Sequence, residues 1–119
     1  MRRKAGTLVP LEASILDAAF RLRLGGQEEV HGFLLAKVMR DDAGAKRLTA
    51  YGSLYRALER LEGFGFLDSR WEDASIAAET GRPLRRFYRL TISGERALAE
   101  SVAAARIAGV RPSVRQVTT

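Results

Sequence analysis

The sequence predicts a mostly helical α+β domain in which three helices are followed by a two-stranded antiparallel hairpin and one further helix. Three observations carry this expectation. Apolar residues recur at helical spacing in three successive segments up to Gly65. Strand-type residues then fill Phe66–Glu72 and Arg86–Thr91. Helical spacing returns at Ser93 and continues to about Ala108.

Each element has its own signals. In the first helix Leu11, Ile15, Ala18 or Ala19, and Leu22 recur at helical spacing; Pro10 suits its start and Gly25-Gly26 its end. A second helix is expected over roughly Val30–Arg40, with Phe33, Leu34, Lys37 and Val38 on an amphipathic face, before the turn-like Asp41-Asp42-Ala43-Gly44. The third segment is the most regular. Leu54, Leu58, Leu61 and Gly65 fall on one helix face, Thr49 is the natural N-cap, and Gly63 and Gly65 close it. The connection Asp73–Arg85 is too long for a tight turn and reads as an extended, mobile hairpin tip. An isolated hairpin is marginal, so this one is expected to pack on the helices through Trp71, Phe87 and Tyr88. Ser93 is expected to cap the last helix, whose stripe is Leu98, Val102, Ala105 and Gly109. The resulting organisation is a basic arm (1–10), a helical and hairpin domain (11–91), a C-terminal helix (92–109) and a frayed tail (110–119).

Composition narrows the chemistry. The 119 residues suit one domain with a modest core, and 46% of them are hydrophobic, so the chain is not compositionally disordered. Cysteine is absent and His31 is the single histidine, which excludes disulfides, thiolate metal sites and thiol nucleophiles and leaves no set for a histidine metal centre or a conventional triad. No motif arranges Ser53, His31 and the carboxylates for catalysis, so the chain reads as a non-enzyme needing no cofactor. Met1-Arg2-Arg3-Lys4 lacks a following apolar segment, and no run approaches the roughly 18 apolar residues of a membrane span. A cytoplasmic protein without a membrane partner is therefore expected.

The net charge of +6 is unevenly spread. Residues 48–79 carry net −3, whereas 80–91 carry four arginines and no acid. Three helices and a basic hairpin define a winged helix-turn-helix. On the third helix the face opposite the leucines holds Thr49, Gly52, Ser53, Arg56, Arg60 and Gly63, with Tyr51 and Tyr55 on a flank. Gly52 permits close backbone approach, Ser53 suits phosphates or bases, and Arg56 can reach guanine or phosphate. Arg82, Arg85 and Arg86 would sit at or near the wing tip and suit a phosphate backbone or a narrow minor groove. Double-stranded DNA is thus the expected partner. The alternative is a winged-helix protein–protein interaction module without sequence-specific DNA binding, suggested by the acidic 48–79 segment.

The run from Thr49 to Glu62, then Gly65, Leu67 and Trp71, resembles the recognition-helix block of PadR-type transcriptional regulators. Gly81 through Thr91 followed by Ser93-Gly94 resembles their wing, and His31-Gly32-Phe33 the start of their second helix, where Tyr often replaces Phe33. The resemblance covers about residues 11–108. It implies a homodimer that binds a pseudo-palindromic operator, commonly as a repressor, and a short form with one C-terminal dimerisation helix. It makes Tyr51, Ser53, Tyr55 and Arg56 operator-facing and Arg82, Arg85 and Arg86 wing contacts. The dimer contacts would be Leu11, Ile15, Leu98, Val102 and Ala105, and a small aromatic effector would act at that interface. Two features depart from the pattern: Ser75-Ile76-Ala77-Ala78 is apolar for a loop tip, and the last helix is rich in alanine.

Several side chains carry two readings. His31 is either a pH sensor or a helix-start residue with a local hydrogen bond. Trp71 either packs beneath the wing or stacks on an effector. Tyr55 either offers its hydroxyl to phosphate or is partly buried. Leu98 and Val102 either join two copies or pack on the first helix.

Overall fold

The computed structural model describes residues 8–42 and 51–107. In chain order it contains α1 (Pro10–Leu24), β1 (Glu29–His31), α2 (Gly32–Asp42), α3 (Tyr51–Gly63), β2 (Leu67–Trp71), α4 (Ala74–Thr80), β3 (Arg86–Leu90) and α5 (Ile92–Ile107). The three long helices before the hairpin, the wing itself and the helix after it stand where the sequence predicts them. Among the described residues no helix is long and apolar enough to cross a membrane.

The periodic leucines make the core. Leu54, Leu58 and Leu61 have no solvent exposure and meet Ile15, Leu16 and Leu35 from α1 and α2. Full burial of a leucine contributes about 1.5–3 kcal/mol, so this one face of α3 anchors the helix and leaves the opposite face outward. Both predicted glycine stops form. At the end of α1, Gly26 takes φ 98°, its N–H bonds to the Arg23 carbonyl and that of Gln27 to the Leu22 carbonyl. At the end of α3, Gly65 takes φ 81° with the equivalent bonds from Gly65 to Glu62 and from Phe66 to Leu61. These paired reverse bonds satisfy the last helix carbonyls and require a left-handed residue, which glycine adopts without strain.

The structure corrects four expectations. The wing is not two-stranded, because β1 adds a third antiparallel strand in the order β1-β3-β2, with Val30 opposite Tyr88 and Ser69 opposite Tyr88 on the other side. Val30 is consequently a buried strand residue, and α2 begins two positions later than the periodicity implied. The Asp73–Arg85 connection is not an extended tip but carries α4. Asp73 caps it by accepting from the Ser75 N–H at 2.8 Å, Ala77 is buried beneath it, and Gly81 ends it at φ 67°. The apolar Ile76-Ala77-Ala78 run lies within this helix, where Ala77 alone turns inward and Ile76 and Ala78 are exposed. Thr91 rather than Ser93 caps α5: its hydroxyl oxygen accepts the Gly94 N–H at 3.0 Å, and its O–H donates to the Gly65 carbonyl at 2.7 Å. Trp71 does not pack under the wing; it is 58% exposed, and the packing comes from buried Tyr88, Leu67 and Leu90.

Two expected dimer contacts also lie elsewhere. Ile15 and Leu98 are buried inside the chain's own core, so neither side chain offers surface to a second copy. Leu11 and Val102 are half-buried against that core, and Ala105 is half-buried on α5.

Candidate nucleic-acid interface

With its leucine face buried, α3 turns Gly52, Ser53 and Arg56 outward. Gly52 and Arg56 are exposed and Ser53 is half-buried. The Arg56 guanidinium donates a long 3.4 Å bond to the Ser53 hydroxyl, an arrangement that leaves most of its donors for another partner. Thr49 lies outside the described residues, and Tyr51 contributes only its backbone to the described start of α3. Tyr55 is 47% exposed and lies flat against the first turn of α2. A Cβ at Gly32 would stand 2.8 Å from its hydroxyl oxygen and 2.9 Å from two ring carbons, so glycine is what lets the ring rest there. The hydroxyl end of the ring is thus the part covered by α2, which agrees with the partly buried reading of Tyr55.

Next to Gly32, His31 ends β1 and caps α2. Its Nδ1 accepts the Leu34 N–H at 3.3 Å, the local hydrogen bond expected of a helix-start histidine. Phe33 stacks near its ring at 6.3 Å and Phe87 meets it edge-on at 6.2 Å. Burial, and then the positive charges of Arg85 and Arg82, push the imidazole below its ordinary value. The unfolded chain therefore takes up this proton first, near pH about 6.5. Stability is expected to be level above about pH 7 and to fall as pH drops through that value, because protonation favours the unfolded state and removes the acceptor that caps α2. Melting temperatures between pH 8 and 5 should show this slope, and His31→Asn, which keeps a capping acceptor but does not titrate, should flatten it; an unchanged slope in that variant would place the titration elsewhere.

The wing arginines divide. Arg82 forms a two-pronged pair with the buried Glu72 at 2.5 and 2.7 Å, and this hydrogen bonding holds the Glu72 carboxyl below the usual carboxylate range. Arg86 donates to the Ser69 hydroxyl at 3.1 Å, lies 3.3 Å from the Glu62 carboxylate and covers the Trp71 ring at 5.1 Å. Arg89 pairs with Asp68 at 3.6 Å. Arg85 is exposed and makes no ion pair among the described residues. On α3, Arg60 is drawn back to Glu12 at 2.8 Å. Of the five arginines that the sequence offers to DNA, Arg56 and Arg85 make no ion pair among the described residues. Arg60, Arg82 and Arg86 instead hold the scaffold. The same pairs take up three of the six acids of the 48–79 segment: Glu62, Asp68 and Glu72 each meet a wing arginine.

Sequence reasoning missed that four acids, Glu12, Glu62, Asp68 and Glu72, pair with these arginines. Asp68 and Arg89 are facing residues of the β2–β3 register, so that pair follows once the hairpin register is known. Glu12 and Arg60 are 48 residues apart, and no local pattern joins them. A shallow groove of about 650 Å³ lies on the outer sheet face. It is lined by Glu29, Asp68, Arg70, Phe87 and Arg89, and it is crossed by the chain's own Arg70–Glu29 pair at 2.6 and 2.7 Å.

A tri-helical core, an outward helix face and a three-stranded wing define a winged-helix protein of the kind that regulates transcription. The family model described as "Transcriptional regulator PadR-like family" matches residues 22–100, and the chain belongs to that family. It is accordingly a transcriptional regulator and not an enzyme. Solved structures agree on the fold. A transcriptional regulator from Clostridium thermocellum is 18% identical with a TM-score of 0.67, over 83% of this chain and 82% of that one. A PadR family transcriptional regulator from Eggerthella lenta is 26% identical with a TM-score of 0.57, over 83% and 79%. Bacillus subtilis PadR, solved in complex with operator DNA, is 20% identical with a TM-score of 0.57; the match covers 92% of this chain but 50% of that one. No curated protein sequence matches the chain.

Proposed function

We propose that two copies of this chain bind a pseudo-palindromic operator and act as a repressor, each copy laying the first half of α3 into the major groove while Arg85 of the wing meets the flanking backbone. The carrying observation is that the outward, cation-bearing start of α3 and the wing arginine without an ion pair both lie beside the β1–α2 junction. Tyr55 of α3 rests on Gly32, Gly32 adjoins His31, and the His31 imidazole feels the charge of Arg85. The Bacillus subtilis relative solved with operator DNA supports the same reading. A protein-interaction module has less support, since three of the six acids that motivated it, Glu62, Asp68 and Glu72, pair with arginines of the chain itself.

The dimer in this reading is formed through α5, where Val102 and Ala105 keep open surface and Leu11 of α1 lies beside the same layer. Recognition helices of such a dimer would sit one DNA turn apart, about 34 Å. A small aromatic effector belongs to the reading as a compound that alters this pairing and so releases DNA; its test is loss of the preformed complex on titrating such compounds.

Footprinting on the DNA upstream of its own gene tests the central claim. With Arg56 and Arg85 from each copy on phosphates, the plot of log affinity against log salt should have a slope of about −3.6 or steeper. A flat salt response, or no protected stretch, would contradict it.

A further inference from the structure

Glu12 is the third residue of α1 and its side chain has no solvent exposure. One carboxylate oxygen accepts the Val9 N–H at 3.1 Å, closing the helix start, and the other accepts the Arg60 Nε–H at 2.8 Å. A carboxylate withdrawn from water is costly unless its charge is compensated, and a helix start needs no more than an exposed polar cap. Its second bond supplies a compensating charge and ties α1 to α3.

The place where it grips α3 is specific. Arg60 follows Ser53 by seven residues, two helical turns or roughly 10.5 Å along the axis, so both lie on one face. The ion pair thus holds α3 by the very side that presents Ser53 and Arg56. Across α3, Glu62 accepts from the Ser69 hydroxyl at 2.8 Å and pairs with Arg86 of the wing. The helix supplies the cation to one clamp and the anion to the other, so turning it about its axis stretches one clamp or the other. α1 is in turn bonded to α5 through Arg23 and Glu95 at 2.7 Å.

We propose that Glu12 is a positioning residue for the recognition helix: through Arg60 it fixes the rotation at which α3 offers Ser53 and Arg56 to DNA, and it keeps the Arg60 guanidinium off the phosphates. The proposal rests on the DNA-binding reading above.

The test uses the full chain with E12Q, R60Q, R60K and the E12Q/R60Q double variant. Affinities for the footprinted operator and for an unrelated duplex are measured at several salt concentrations, at a temperature where circular dichroism shows each variant folded. E12Q and R60Q should each weaken operator binding about tenfold, the size of one lost base contact. The ratio of operator to unrelated affinity should fall with it, and the double variant should lose no more than the worse single. The salt slope should stay within one unit of the wild type. R60K, which keeps the charge but not the fixed Nε geometry, should behave like R60Q and keeps the question open to measurement if E12Q does not fold. A slope shallower by about 2 in R60Q, with E12Q binding normally, would make Arg60 a phosphate contact and overturn the proposal. Lowered melting temperatures with an unchanged affinity ratio would also overturn it, leaving Glu12 a structural residue alone. Should the wild type fail to distinguish operator from unrelated DNA, the functional reading falls first and this inference with it.

Discussion

Charge reversal by R56E or R85E is expected to weaken operator binding by about a hundredfold or more in each case while leaving the melting temperature within a few degrees of wild type. Lost phosphate or base contacts cost about 1–3 kcal/mol, and a dimer loses each contact twice. The reversed carboxylate adds repulsion from the same phosphates. Stability should hold because both side chains are exposed and neither makes an ion pair among the described residues. Each variant should also make the salt slope shallower by about 2, since one phosphate contact disappears from each copy. Arg82 provides the contrast. R82Q strands the buried Glu72 carboxylate, so its effect should appear first as a lowered melting temperature and only through it as weaker binding. If R82Q instead weakened DNA binding as strongly as R85E with no loss of stability, Arg82 would leave Glu72 for DNA in the complex. Operator titrations and thermal melts on the three variants decide between these outcomes.

This division among arginines shows where sequence reading stops. The helices were legible because their signals are local. A leucine every three or four residues sets the buried face of α3, and Gly26 and Gly65 mark the chain reversals by a backbone geometry that other residues adopt at a cost. The exposed face of α3 follows from the buried one by geometry alone, so the sequence itself turns Gly52, Ser53 and Arg56 outward. β1 was not legible. Three residues carry too little periodicity, and Val30 is buried because Tyr88, 58 positions later, pairs with it. α4 was half legible: Asp73 and Gly81 are ordinary cap residues, but seven helical residues between two strands compete poorly with a turn in local propensity. For the wing arginines the sequence shows charge but not its employment. Whether a guanidinium meets phosphate or a carboxylate depends on which strands face each other, and three of the predicted contacts proved to be internal partners of Glu12, Glu62 and Glu72. A cluster of like charges in sequence is therefore an upper bound on the charge offered to a partner.

Gly94→Ala should be the most damaging glycine-to-alanine substitution among the described residues, lowering stability by about 3 kcal/mol or more. Alanine in a helix normally gains about 1 kcal/mol over glycine, so both the sign and the size are diagnostic. Gly94 is buried in the first turn of α5, where an added Cβ would collide with the Phe66 carbonyl oxygen, stand 3.1 Å from the carbonyl carbon and lie 2.7 Å from the Leu90 Cδ1. The Phe66 backbone cannot yield. Its N–H closes α3 on the Leu61 carbonyl, its carbonyl accepts the Thr91 N–H at 3.2 Å, and Thr91 also holds the Gly65 carbonyl through its hydroxyl. The extra methyl must therefore lift α5 away from the end of α3, breaking the Thr91 cap and the Arg23–Glu95 contact together. In a domain of this size such a loss lowers the melting temperature by about 10 °C or more. Gly52→Ala is the matched control. A Cβ there meets nothing nearer than the Arg56 Nη1 at 3.6 Å, so stability should rise by up to about 1 kcal/mol. Operator affinity should nevertheless fall, because the methyl would stand between the α3 backbone and the groove wall. A variant pair in which Gly94→Ala melts low and Gly52→Ala melts high but binds weakly would separate the glycine that the fold requires from the glycine that DNA requires; a Gly94→Ala protein melting within a few degrees of wild type would mean that α5 does not dock on Phe66.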